Sequence, residues 1–317
     1  MPASYLGRGS FIYMGQESNW GVAAGSQTVY NRVMSIDMSR TIEREQRTHL
    51  TTSNAAFSFG SFDAFEIAGG SITVPVQYDG TGILIYNALG ATPTTTGSDP
   101  YIHTYTPSTE ARFLTIQCQR GSGTMEAFLG CMVSTMNISI ESGQQMEAEF
   151  EFIAKTSNNR TSAITSPNFG SGLPVNHYES GTLSFDSQTY SVRSISLNLD
   201  NKLERRNLLG SKQTAQPAIT DIREITLDVV ADWEDDNLYN AQYLGTAGDV
   251  VITFTNSAGH YFKITLNEAQ LTSYEDNVDS VGRIERSFTF QGFATSGGNA
   301  AFEIEIKNTS ISAVANG

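Results

Sequence analysis

The chain has 317 residues, enough for two ordinary domains that each bury a core. Charged side chains make up 16%, against about 25% in average soluble domains. The formal net charge of −14 argues against wrapping nucleic acid by counterion release, which needs clustered Lys and Arg.

From the N-terminus, Phe11, Ile12 and Tyr13 read as a short strand, followed by a Gly- and Ser-rich loop with Trp20 and Gly21. Residues 32–47 alternate. Ile36, Met38, Arg40, Ile42 and Arg44 share one face, and Asp37, Ser39, Thr41, Glu43 and Glu45 the other. This predicts a long strand leaving the body through its charged end. An arm over about residues 41–67, with Arg44, Arg47, Phe57, Phe62 and Phe65, would return to it. A strand through Ile72, Val74 and Val76 then feeds the unit YDGTGILIYNALG at residues 78–90. That unit predicts a short helix, with Asp79 near its start, Gly90 as a left-handed cap, and Ile85 and Leu89 on a packed face. Residues 91–109 read as a surface loop. Strands over 113–120, 126–134 and 137–141 follow. In the next strand Met146, Ala148, Phe150 and Phe152 alternate with Glu147, Glu149 and Glu151.

Residues 158–173 lack apolar periodicity and read as a linker between domains at 1–157 and 174–317. Beyond it the pattern restarts. The unit WEDDNLYNAQYLG, residues 233–245, stands 155 residues after the first and puts Tyr239 and Tyr243 on its face. Leu203-Glu204-Arg205 echoes Ile42-Glu43-Arg44, and Phe288-Thr289-Phe290 echoes Phe150-Glu151-Phe152. Strands over 250–255, 260–266, 269–274, 284–293 and 302–306 complete the half. The expected fold is mainly β: two tandem sandwich or open-barrel domains, each with one short packed helix.

Little points to chemistry. Cys118 and Cys131 make no disulfide framework or zinc site, and His49, His103, His177 and His260 have no partner at ligand or triad spacing. Phosphate-loop, dinucleotide and nucleophile-elbow motifs are missing from the sequence. The acids Asp232, Glu234, Asp235 and Asp236 suit a helix N-terminus better than a metal loop. No enzyme, cofactor or membrane span is expected.

Gly15-Gln16-Glu17 followed by Trp20-Gly21 resembles the opening of bacteriophage tail tube proteins. So do GGSITVPVQYDGTGILIYNALG (residues 69–90) and Phe128-Leu129-Gly130-Cys131 leading to Asn137-Ile138-Ser139-Ile140 and EAEFEFIA. The resemblance implies a virion protein of a long, non-contractile tail, assembled in the host cytoplasm. Its rings would stack into a hollow tube around a tape-measure protein, meet terminator and tail-tip proteins at the ends, and conduct DNA at ejection. Combined with the internal repeat, it implies trimeric, pseudo-hexameric rings. Carboxylates would then repel DNA from the lumen wall. Candidates are Glu147, Glu149, Glu151 and Glu285, or alternatively the face of Asp37, Glu43 and Glu45. The arm residues Arg44, Arg47, Phe57, Phe62 and Phe65 would reach the next ring. Two alternatives stay open: a terminator or tail-tip ring of the same fold, and a carbohydrate-binding β-sandwich protein.

Overall fold

The computed structural model describes residues 7, 9–25, 27, 29–47, 60–121, 123–161, 164, 166–179, 181–185, 188–232, 237–277, 285–294 and 300–314. In the first half β1 (Phe11–Glu17), β2 (Val29–Arg32), β3 (Ser35–Gln46) and β4 (Ser61–Pro75) lead to helix α1 (Gly82–Leu89). β5 (Thr94–Thr96), β6 (Tyr101–Tyr105), β7 (Phe113–Gln119), β8 (Met125–Glu141), β9 (Glu147–Ala154) and β10 (Thr156–Thr161) follow. The second half opens with β11 (Thr182–Phe185), β12 (Gln188–Tyr190), β13 (Val192–Asp200), β14 (Leu203–Arg206), β15 (Ala215–Ile219) and β16 (Glu224–Asp232). It continues through α2 (Asn237–Leu244), β17 (Ala247–Thr255), β18 (Tyr261–Asn277), β19 (Glu285–Gln291) and β20 (Phe302–Asn308).

The same antiparallel ladders occur in both halves. β1 pairs with β2 and β7, as β11 pairs with β12 and β17. β3, β4, β9 and β8 lie side by side, as do β13, β16, β19 and β18. β8 also pairs with β7 and β10, and β18 with β17 and β20. The helices start at residues 82 and 237, 155 apart, and have eight residues each.

β8 and β18 are 17-residue strands that change partners midway and so belong to two layers. β8 bends at Gly130, whose φ of 65° is the left-handed region that glycine enters without strain. Tight packing also favours glycine there, because an added Cβ would lie 3.0 Å from the Trp20 ring. β18 bends near Glu268, which takes a φ of 46°. Glu17 lies beside the bend of β8. Its carboxylate accepts hydrogen bonds from the amides of Gly130 (2.8 Å) and Gly21 (2.9 Å) and from the Thr115 hydroxyl (2.8 Å). The early Glu17, Trp20 and Gly21 and the later Gly130 are thus one local device.

β8 pairs with β13 as well, with Ile138 opposite Leu197. One eight-stranded sheet results, in the order β3-β4-β9-β8-β13-β16-β19-β18. Behind it lie β2-β1-β7-β8-β10 and β12-β11-β17-β18-β20-β6-β5, the last two strands being an insertion of the first half. The core fills the space between layers, with Ile72, Val74, Phe150, Leu197, Leu227 and Phe290 fully or almost fully buried.

Several expectations need correction. Helix α1 is shorter than its thirteen-residue unit because residues 78–81 form the approach, with the amide of Gln77 bonded to Thr81 Oγ1 (3.0 Å). Asp79 does not cap α1, and its carboxylate instead accepts from Ser171. Gly90 does end the helix, at φ 94°, with its amide on Tyr86 O (2.9 Å). α1 is buried on all sides, beyond the packed face of Ile85 and Leu89. In α2 Leu238 is buried, and Tyr239 and Tyr243 are 50% and 81% exposed. Residues 126–141 form one strand where two were expected, and residues 261–277 likewise, since both are bent without a turn. β5 and β6 occupy the expected loop at 91–109. β10 begins the expected linker, and beyond it Val175 hydrogen-bonds to Val76 (2.9 Å). The Phe echo is out by two residues: Ile72 faces Phe150 and Leu227 faces Phe290, so Phe290 corresponds to Phe150 and Phe288 to Ala148.

Candidate functional site

Alternation along the eight-stranded sheet sends apolar side chains into the core and leaves hydroxyl, amide and carboxylate groups on the other face. On β9 Glu149 lies between Thr73 and Asn137, and Glu151 between Ser71 and Thr135. Both are exposed, Glu147 is half-buried, and Thr135 Oγ1 donates to Glu151 (3.2 Å). Asp37 of β3 joins them, because Asp37, Ser71, Thr135, Glu149 and Glu151 line one hollow. Glu285 starts β19 on this face, and Asp228 of β16 accepts from Thr289 Oγ1 (2.5 Å). The face is concave, since Glu147, Ser196, Asp228, Glu275 and Thr289 wall a second hollow spanning both halves.

Bases on this face lie toward its margins and are engaged. Arg193 bridges Asp232 (2.9 Å) and Glu285, and Lys202 bridges Asp200 (2.9 Å) and Glu224 (2.8 Å). Desolvation works to raise the Asp200 carboxyl, but the hydrogen bonds from Lys202 outweigh it and leave Asp200 below its usual range. The sheet face therefore presents a carboxylate field with little free positive charge.

The two acidic sets read from the sequence are not alternatives, since Asp37 shares the face of Glu147, Glu149 and Glu151. Glu43 and Glu45 lie farther out on the β3–β4 ribbon, around a register shift between Ile42 and Arg44. Sequence reasoning missed Asp200, Asp228, Asp232 and Glu275 as members of the face. The alternation of Ile225, Leu227 and Val229 with Thr226 and Asp228 carries that signal.

On the ribbon, Arg44 pairs with Asp63 (3.1 Å), which also holds Lys212 of the β14–β15 hairpin (2.8 Å). Hydrogen bonds from Lys212 and then Arg44 hold the Asp63 carboxyl below its usual range. The Arg47 amide bonds Gly60 O (2.8 Å), Phe62 is 45% exposed, and Phe65 is half-buried. Phe57 lies outside the described residues, as do His49, Glu234, Asp235 and Asp236. The hairpin rests on the first half, where Arg205 donates to Ala68 O (2.6 Å) and Ala154 O (3.4 Å).

His103 is buried and ties β6 to the C-terminal segment through Asn308 Oδ1 (3.1 Å) and Ser310 O (2.9 Å). Burial pushes the Cys118 thiol up to about 12 and raises the Cys131 thiol strongly, so both behave as small apolar side chains. Among the described residues no group of His, Cys, Asp and Glu could hold a metal ion, and no helix is long and apolar enough to cross a membrane.

A search of curated proteins gave no match. Among solved structures, Hcp1 from Flavobacterium johnsoniae aligns at 14% identity and TM-score 0.29, over 40% of this chain and 98% of that one. The family described as phage tail tube protein, structural and not enzymatic, matches residues 7–292. With nearly its whole length matched, the chain belongs to the phage tail tube protein family.

Proposed function

We propose that the chain polymerises as stacked rings into the hollow tube of a long, non-contractile phage tail and that its acidic sheet face lines the lumen. The observation that carries this reading is the concave carboxylate face itself. A wall of Glu147, Glu149, Glu151, Asp37, Asp228 and Glu285 repels phosphates at short range, so DNA slides without adhering. The repeated ladder set supports two tail-tube units in one chain, so that three chains give a pseudo-six-fold ring. The lumen encloses a tape-measure protein during assembly in the host, and terminator and tail-tip proteins close the ends.

Negative-stain microscopy of the concentrated protein tests this. Hollow tubes whose averaged end views have three-fold symmetry are expected. Tubes with six chains per ring would overturn the trimer, and a monomer at all concentrations that binds a glycan array would overturn the whole reading.

A further inference from the structure

Away from the carboxylate face, the chain gathers positive charge in one cleft of about 250 Å³. It lies where α1 and the lead into β7 meet the β13–β14 connection, the β14–β15 hairpin and the lead into β16. Arg112, Arg206 and Arg223 line it, together with Asn87 and Asn201. The chain as a whole carries 19 bases against 33 acids. Here three arginines face a single acid, Glu110, so the local balance is inverted.

The arginines differ in how far they are engaged. Arg112 pairs with Glu110, donates to Gly90 O (2.7 Å) and lies over the Tyr86 ring. Arg206 and Arg223 make no ion pair among the described residues. One terminal nitrogen of Arg223 donates to Ser108 O (2.7 Å), but its buried Nε has no partner there. Burial holds the Arg223 guanidinium below its usual range, and no carboxylate offsets that. A desolvated cation without a counter-charge favours an anion beside it.

The two asparagines add a donor and an acceptor whose identities the backbone fixes. Asn87 Oδ1 accepts from the Val133 amide (3.2 Å), so Nδ2 is the end left unpaired among the described residues. Asn201 Nδ2 donates to Ala88 O and Val133 O, each at 2.9 Å, so there Oδ1 is left unpaired. Turning either amide over would set oxygen against oxygen or N–H against N–H. Both residues are more than nine-tenths buried, at 6% and 2% exposure. Bulk water therefore does not satisfy these atoms, and a ligand that meets both removes a cost.

Together these groups specify the ligand. The guanidiniums and Asn87 Nδ2 call for an anion rich in acceptor oxygens, and Asn201 Oδ1 requires that the same anion also donate one hydrogen bond. We propose that the cleft binds one hydrogen phosphate ion. Its oxygens accept from Arg223, Asn87 Nδ2 and Arg206, and its P–OH donates to Asn201 Oδ1. Arg206, exposed at the mouth, closes over the ion. Sulfate is similar in size and charge but carries no proton at neutral pH, so it leaves the Asn201 acceptor unpaired. A phosphodiester has no P–OH either, which sets this site apart from one for a nucleic-acid backbone. The ion joins Asn87 of the first half to Asn201, Arg206 and Arg223 of the second, and so ties the hairpin to α1.

Calorimetric titration of inorganic phosphate into the dilute full chain, at neutral pH and fixed ionic strength in chloride, tests this. One ion per chain is expected, with sulfate at least about tenfold weaker because it leaves an acceptor unpaired. The melting temperature should rise with phosphate and rise less with sulfate. Arg206→Gln changes an exposed position and should weaken phosphate at least about fivefold with unchanged circular dichroism. Asn87→Asp keeps an acceptor for the Val133 amide but replaces Nδ2 by a carboxylate oxygen, and should abolish binding. No saturable binding up to about 10 mM phosphate would overturn the site. Sulfate binding as tightly as phosphate would overturn the role given to Asn201 and with it the choice of ion. Phosphate binding undiminished in both variants would place the ion elsewhere and overturn the assignment to this cleft.

Discussion

Replacing Gly70 by Ala should unfold the sheet where β4 runs between β3 and β9. Gly70 has φ 134°, a region nearly closed to L residues, and its neighbour Gly69 has φ 139°. An added Cβ at Gly70 would lie 1.8 Å from Asp37 O and 2.9 Å from Asp37 C, both backbone atoms of the adjoining strand. No rotamer change relieves such an overlap, so the β3–β4 ladder must move. Backbone strain costs about 1–3 kcal/mol. Overpacking typically adds about 1–3 kcal/mol, so a total of about 2–6 kcal/mol is expected. Gly143→Ala is the matched control: its φ is 93°, but nothing lies within 4 Å of the added Cβ. It should show the strain alone, about 1–2 kcal/mol. Urea unfolding of dilute, unassembled protein measures both. A Gly70→Ala cost no larger than that of Gly143→Ala would refute the reasoning, because the ladder would then have room that the geometry denies.

Three further outcomes follow from charge and burial. Tubes of the double variant Glu149→Lys, Glu151→Lys should retain DNA at about 50 mM salt and release it by about 200 mM, a phosphate-contact signature; sedimentation with labelled DNA checks this, against no retention by the parent. Burial raises the Glu17 carboxyl above 4.5 in spite of its three hydrogen bonds. The folded chain therefore binds the extra proton above pH 4.5, and stability falls as pH rises from there through the folded carboxyl's titration. Glu17→Gln should remove this slope from a series of urea midpoints. Cys118 and Cys131 should resist a thiol reagent in the folded chain and react fully in denaturant, followed by absorbance.

The sequence made much of the sheet legible because half-buried strands leave a period-two record. Phe150 and Phe152 against Glu149 and Glu151 located β9, and the echo of Ile42-Glu43-Arg44 in Leu203-Glu204-Arg205 matches the ladder counterparts of β3 and β13–β14. Long-range pairing left weaker marks. β6 is five residues long, and its partner β20 lies about two hundred residues away, so no local pattern announced it. The acids of β3 and β9 read as competing faces because only the β3–β4–β9 ladder aligns Asp37 with Glu149 and Glu151. α2 misled for another reason. Tyr239 and Tyr243 are large enough to pass for a buried stripe, yet Leu238 supplies the anchor.

The halves differ in how far they are completed within one chain, and that difference bears on function. The first half has its helix enclosed, its Ala68–Ala154 site covered by Arg205, and β8 paired onward to β13. Among the described residues the second half leaves Tyr243 81% and Ile222 82% exposed and residues 271–277 of β18 paired only with β19. Isolated exposed apolar residues need no explanation, but exposure at counterparts of covered sites does. Equivalent sequence positions favour equivalent burial, so a second half with the same ladders as the first has a matching unmet demand. In the ring proposed here the concave face turns inward, which puts the carboxylates of both halves on a single wall.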